Sequence, residues 1–292
     1  MILITGATGN NGVELVKKLS SSGTKVRAFV RSRAQARKKI DLPGVELVAG
    51  DFGRPETFEP ALKGIDRLFL LIPSSSEVEA QQRSFVDAAK RSQVRHIVKL
   101  SQLGADPKSS GRFQRYHGAV ENYIRDSGLA FTFLRPNLFM QGLLNFCETI
   151  STQGAFYLAA GDAKVSIVDV RDIAAIAAQA LTEPGHEGKT YEITGPESLT
   201  HCEMANQLSE AIGNTVKFLD ISPDSMRQAL VGFGMPAWQA EGLVEDYEIY
   251  RRGEAAQVTT TVKEVTGVPS RSFAQFARDY SASFRDNFAG AA

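Results

Sequence analysis

The sequence predicts an α/β fold built on a doubly wound parallel sheet, followed by a smaller, mostly helical lobe. Three observations carry this prediction. Six strand-like runs alternate with helix-like segments over the first half of the chain, the order that builds crossovers on both faces of a sheet. The runs are continuously apolar rather than alternating, as strands covered on both faces must be. The first run leads at once into a turn with three glycines and then into a helix.

In chain order the strands are expected at Ile2–Thr5, Lys25–Val30, Val45–Ala49, Arg67–Ile72, His96–Leu100 and Ala130–Leu134. Amphipathic helices are expected between them at Val13–Ser22, Arg54–Lys63, Glu77–Ser92 and Gly111–Ser127. Gly23, Gly64 and Gly128 stand where a helix end wants a left-handed residue. After Pro136 the alternation stops. Asn137–Thr152 reads as helix, Val165–Val168 as strand, Asp169–Leu181 as helix and Thr190–Thr194 as strand. Asp169 and Asp172 suit the positive start of that helix. Helices follow at Thr200–Ile212, Pro223–Val231, Pro236–Arg251 and Ser272–Phe284, with a short strand at Val216–Leu219. The expected division is a dinucleotide-binding domain at 1–136, rejoined by 163–195. A substrate lobe takes 137–162 and 196–288, and 289–292 form a frayed tail.

Composition excludes several function classes. Lys plus Arg and Asp plus Glu both number 33 in 292 residues, so no net field draws the chain to nucleic acid or an anionic membrane. The longest apolar run, Leu68–Ile72, is too short to span a bilayer. With no basic leader before the first strand, the expected location is the cytoplasm. Cys147 and Cys202 have no metal-ligand spacing and read as small core or semi-core residues. No metal site is visible.

The chemistry starts at Gly6-Ala7-Thr8-Gly9-Asn10-Asn11-Gly12. One glycine makes the tight turn, one lets backbone N–H groups approach a pyrophosphate, and one lets helix and strand pack closely. The helix start beyond it favours negative charge. Gly6, Thr8, Gly9, Asn10, Asn11 and Gly12 are therefore candidate phosphate-binding residues on a Rossmann-type sheet. The end of the second strand decides the dinucleotide. An acid there would hold the 2′-hydroxyl of NAD, but the segment reads Val30-Arg31-Ser32-Arg33 and the next acid is Asp41. The Arg31 guanidinium suits a 2′-phosphate, so NADP(H) is preferred over NAD(H).

With Arg31, Gly50-Asp51-Phe52, Ser101 and Val120-Glu121-Asn122-Tyr123-Ile124-Arg125 into Ser127-Gly128-Leu129, the chain resembles the NmrA-like branch of the short-chain dehydrogenase/reductase superfamily. Thr132-Phe133-Leu134-Arg135-Pro136, Gly161-Asp162 and Val168-Asp169-Val170-Arg171-Asp172-Ile173-Ala174 extend the likeness. The resemblance implies that Asp51 and Phe52 lie by the adenine. It also implies that Leu71, Ile72 and Pro73 line the adenosine ribose and the approach to the nicotinamide. Oxidoreductases of that superfamily use a Ser with a Tyr-x3-Lys pair. Ser101 matches the Ser, but Phe113 stands at the tyrosine position and His117 at the lysine position. Alcohol–ketone chemistry and sugar epimerisation lose their proton shuttle.

Ser101 and His117 are then the candidate catalytic residues, His117 as a ribose ligand and proton donor. An acceptor that spreads incoming charge through a conjugated system, such as a quinone, azo compound or triarylmethane dye, asks mainly for stacking and orientation. Phe113, Phe139, Met140, Phe156 and Trp238 are candidates for that pocket, with Tyr157, Phe233 and Met235 nearby in sequence. The alternative is a non-catalytic NADP(H)-binding redox sensor that passes its state to a protein partner.

Overall fold

The computed structural model describes residues 1–285. Within it, contacts separate the chain into two compact units, Met1–Pro136 with Val170–Glu192, and Asn137–Asp169 with the residues from Ile193 onward. The joins fall at 169/170 and 192/193 rather than at 163 and 195. The expected tail at 289–292 lies outside the described residues.

In the first unit the elements follow in strict alternation. They are β1 (Ile2–Ile4), α1 (Asn10–Ser21), β2 (Val26–Val30), α2 (Arg33–Ile40), β3 (Val45–Ala49), α3 (Phe58–Leu62) and β4 (Arg67–Leu70). After these come α4 (Val78–Arg91), β5 (His96–Leu100), α5 (Arg112–Ser127) and β6 (Ala130–Pro136). With β8 (Lys189–Ile193) the sheet has seven strands in the order β3-β2-β1-β4-β5-β6-β8. The registers from β3 through to β6 are parallel. The chain winds outward from β1 through β2 to β3, then returns to the other side of β1 with β4. That reversal is the crevice where doubly wound folds bind ligands. Helix α7 (Val170–Thr182) packs on α1, and α4 packs on α5.

Local chemistry explains where the expected elements ended early or broke. Strand β4 stops at Leu70 because the Leu71 N–H goes to Thr5 Oγ1 (2.8 Å) instead of continuing the ladder. Arg54–Lys63 is split. Pro55 opens a 3-10 turn over Pro55–Thr57, and α3 follows it. Helix α2 was not expected; Ser32 caps it by accepting from Gln35 N, and Ala36 and Ile40 are its only buried residues. So short an apolar face gives little periodicity to read. Beneath this edge Phe29, Phe52, Phe58 and Phe85 pack ring against ring, with centroids 4.7–6.3 Å apart.

The second unit contains α6 (Cys147–Gln153), β7 (Ala155–Leu158), α8 (His201–Ile212), β9 (Lys217–Asp220), α9 (Pro223–Gly232), α10 (Ala237–Arg251), α11 (Thr261–Thr266), α12 (Phe273–Asp279) and α13 (Ser281–Arg285). Strands β7 and β9 form a small parallel pair of their own. The expected strand at Val165–Val168 is not one. Val165, Ser166 and Val168 donate to Leu199, Ala255 and Leu138, three separate segments, so only isolated bridges form. The helix expected over Asn137–Thr152 starts late, after a 3-10 segment at Met140–Phe146. Asn137 holds the chain off helical geometry: its amide nitrogen donates to Ser166 Oγ and the Ala255 carbonyl, and its Oδ1 accepts from Leu138 N. Cys147 is half-buried, but Cys202 is exposed on α8, outside any core. No described helix is long and apolar enough to cross a membrane.

His201 is the feature of this unit with a readable pH signature. It is buried among the rings of Phe156, Phe218 and Tyr247, at 5.3–6.4 Å. Burial lowers its pKa to about 4, Asp220 opposing weakly. The unfolded chain takes up that proton near 6.5, so the folded state loses stability as pH falls from 6.5 to about 4. In urea titrations the His201→Phe variant is expected to show an acid dependence shallower than wild type by up to about 1.4 kcal/mol per pH unit in that window. Equal slopes would mean that His201 does not fold in its neutral form.

Candidate active site

The turn after β1 meets the steric demands of a phosphate cradle. Gly6 sits at φ +61°, and a Cβ there would fall 2.8 Å from Leu71 Cγ. At Gly12 a Cβ would lie 2.1 Å from the Gly6 carbonyl oxygen, so any side chain would break the packing of α1 on the turn. Gly9 precedes α1 and supplies no side-chain cap; Val13 N is the first to bond back, to the Gly9 carbonyl. The N–H groups at the start of α1 thus point out of the helix with its positive end behind them. Asn11 is buried, and its Oδ1 has no hydrogen-bond partner. A buried orphan acceptor beside a bare helix start fits a ligand that carries both phosphate and hydroxyl groups. Thr8 is half-buried, and its carbonyl accepts from Lys39 Nζ (3.1 Å), which adds a cation beside the turn that sequence reading had not picked out.

Arg31, one residue beyond β2, is exposed. Asp51 has one oxygen committed: Oδ1 accepts from Gly53 N (2.8 Å), closing a local turn. Phe52 is half-buried and belongs to the aromatic cluster. Leu71 is half-buried against Gly6, Ile72 is buried, and Pro73 is exposed at the mouth of β4. These residues follow the carboxyl ends of β1, β2, β3 and β4, so the fold brings the cofactor candidates to one end of the sheet in the first unit.

The catalytic candidates sit differently from expectation. Ser101 is not a free hydroxyl in a cleft; it is buried, and Oγ donates to Glu121 Oε1 at 2.6 Å. Glu121, at zero exposure, also accepts both arms of the Arg135 fork, Nε at 2.9 Å and Nη2 at 2.6 Å. Arg125 adds a fourth donor at 3.2 Å while lying over the Phe133 ring. The carboxylate is thus saturated by donors from β6, α5 and the end of β5, the condition under which a buried ion survives. His117 is half-buried, and its Nδ1 lies 2.6 Å from Nζ of Lys99, a residue sequence reading passed over. Lys99 was legible in principle: it interrupts a strand, His96–Leu100, whose every residue is buried.

The acceptor-pocket candidates separate into two groups. Phe113 is buried edge-on against Tyr116, whose hydroxyl meets Ser74 Oγ at 3.0 Å. Phe139 and Trp238 are half-buried. Met140 and Phe156 have no exposure and lie in the hydrophobic core of the second unit; Phe156 packs on Phe146 and Phe218. Their role is packing, because strand β7 turns Phe156 inward. Phe233 is 86% exposed at the end of α9 and faces solvent. Asp169 accepts from Gln141 Nε2 at 3.0 Å.

The chain is 39% identical to a protein named NAD(P)H azoreductase from Xenophilus azovorans, over 97% of this chain and 99% of that protein. It is 38% identical to a (4-alkanoyl-5-oxo-2,5-dihydrofuran-3-yl)methyl phosphate reductase from Streptomyces griseus, over 99% of both. Among solved structures it superposes on the NADPH complex of the NADPH-dependent quinone oxidoreductase of Escherichia coli. There the TM-score is 0.85 at 29% identity, covering 96% of this chain and 99% of that one. The NmrA-like family model matches residues 1–269, and the chain belongs to the NmrA-like family.

Proposed function

We propose that this chain is an NADPH-dependent reductase delivering hydride to a conjugated acceptor of the quinone, azo or dye class. The observation that carries the reading is a complete dinucleotide turn in a chain with Phe113 where a proton-shuttling tyrosine would stand. A site of that kind can reduce an acceptor that disperses the charge it receives, and is poorly equipped for a simple ketone. Relatives named for azo, quinone and furanone phosphate substrates support the class without choosing within it.

The residues divide the work. Backbone N–H groups from Asn10 to Gly12 hold pyrophosphate, since the Gly9 N–H is spent on the Gly6 carbonyl, and Asn11 Oδ1 gains the donor it lacks. Arg31 pairs with the 2′-phosphate, and Lys39 adds to the field. Asp51, Phe52, Leu71, Ile72 and Pro73 border the adenosine half, with Asp51 confined to its uncommitted oxygen. Bound NADPH supplies the hydride. Phe139 and Trp238, both half-buried in the second unit, offer apolar surface for stacking the acceptor. Ser101, its proton committed to Glu121, positions rather than protonates.

Reduced nicotinamide absorbance followed against a panel of quinones and azo compounds tests the reading directly. Tight NADPH binding with no turnover of any acceptor would favour a sensor over an enzyme. By calorimetry, Arg31→Ala is expected to weaken NADPH binding by roughly 10- to 100-fold, the worth of a charge-assisted hydrogen bond, and to leave NADH unchanged. Equal losses for both cofactors would remove Arg31 from the 2′-phosphate. Gly12→Ala should weaken both cofactors together, by about tenfold or more, because its Cβ must push the turn off the Gly6 carbonyl.

A further inference from the structure

Lys99 lies at zero exposure, one residue before the end of a strand buried on both faces. Strand periodicity puts Lys99 and Ser101 on the same face of β5, the face that meets Glu121 and His117 one helical turn apart on α5. Nζ of Lys99 reaches two acceptors, His117 Nδ1 at 2.6 Å and the Leu100 carbonyl at 3.2 Å. His117 stands at the helix position where the superfamily motif has lysine, so an ammonium group meets that position from the strand instead.

We propose that Lys99 and His117 form a proton relay: Lys99 donates to Nδ1, which keeps the ring proton on Nε2, and Nε2–H protonates the acceptor as it is reduced. The proposal rests on the reductase reading and supplies the proton source that the missing tyrosine leaves open. The balance closes. The acceptor takes two electrons with the hydride, and the nicotinamide is oxidised. As the Nε2–H bond breaks and a new O–H or N–H bond forms on the acceptor, Nζ–H breaks and Nδ1–H forms, leaving Lys99 as a neutral amine. Water then returns a proton to Nε2, and Nδ1 gives its own back to Lys99.

The charges around the pair set where its proton rests. Glu121 on α5 and Arg135 on β6 are the ionised neighbours. Burial lowers Lys99 to about 7, with Glu121 opposing and Arg135 assisting. Burial, then the Lys99 and Arg135 cations, hold His117 well below its ordinary range. Below about pH 7 the proton therefore sits on Lys99 and the imidazole is neutral, which is the loaded state. Above it the relay empties.

Two measurements on the full chain test this. In protein labelled with 15N-histidine, nitrogen NMR from about pH 5.5 to about pH 8 should find His117 as the Nε2–H tautomer without cofactor. Lys99→Met should mix the tautomers and raise the His117 pKa. In turnover with a quinone, wild-type kcat should fall as pH rises through about 7. Lys99→Met should lose roughly 100-fold in kcat together with that pH break, while the KM for NADPH stays constant. His117→Gln should lose kcat and the pH break likewise if Lys99→Met folds poorly. An Nδ1–H tautomer in wild type, or variants that keep the rate and the pH break, overturns the relay and leaves the reductase reading intact. Wild type that reduces no acceptor overturns both.

Discussion

The first unit depends on a buried carboxylate. Glu121 takes four hydrogen bonds, from Ser101, from both arms of Arg135 and from Arg125, without contact with water. Its two oxygens tie the end of β5 to β6 and α5, so the carboxyl edge of the sheet has one arrangement. Removing Arg135, the close counter-charge that holds both oxygens, would strip a buried carboxylate of its main partner, a loss that typically costs about 3–5 kcal/mol. Such a cluster specifies geometry more than it adds stability.

That constraint reaches into chemistry. Committing Ser101 to Glu121 takes away the hydroxyl proton that the superfamily's alcohol chemistry uses, and Phe113 takes away the phenol. The same cluster places a carboxylate near Lys99, which lets an amine remain buried beside His117. A site without those two protons suits acceptors that need orientation first and a proton second.

The glycine turn rests on a different physical basis. Gly6 and Gly12 fit by absence of side chain, and the helix behind them contributes field without any titratable group. Binding through backbone tolerates change in the rest of the site. This accounts for relatives of comparable similarity being named for three different acceptors.

The sequence by itself determined the alternation of strands and helices, the glycine turn at the sheet reversal, the arginine after β2 and the vacancy of the tyrosine position. All are local patterns: an apolar run, a spacing or a single residue beside a strand end carries each one. Only tertiary structure decided that Ser101 points to Glu121, that Lys99 reaches His117, that Phe156 and Met140 are core, and that Val165–Val168 is no strand. Those facts join residues 18 to 89 positions apart. Partners so distant leave no period in the chain, because burial and pairing are settled by which surfaces meet after folding.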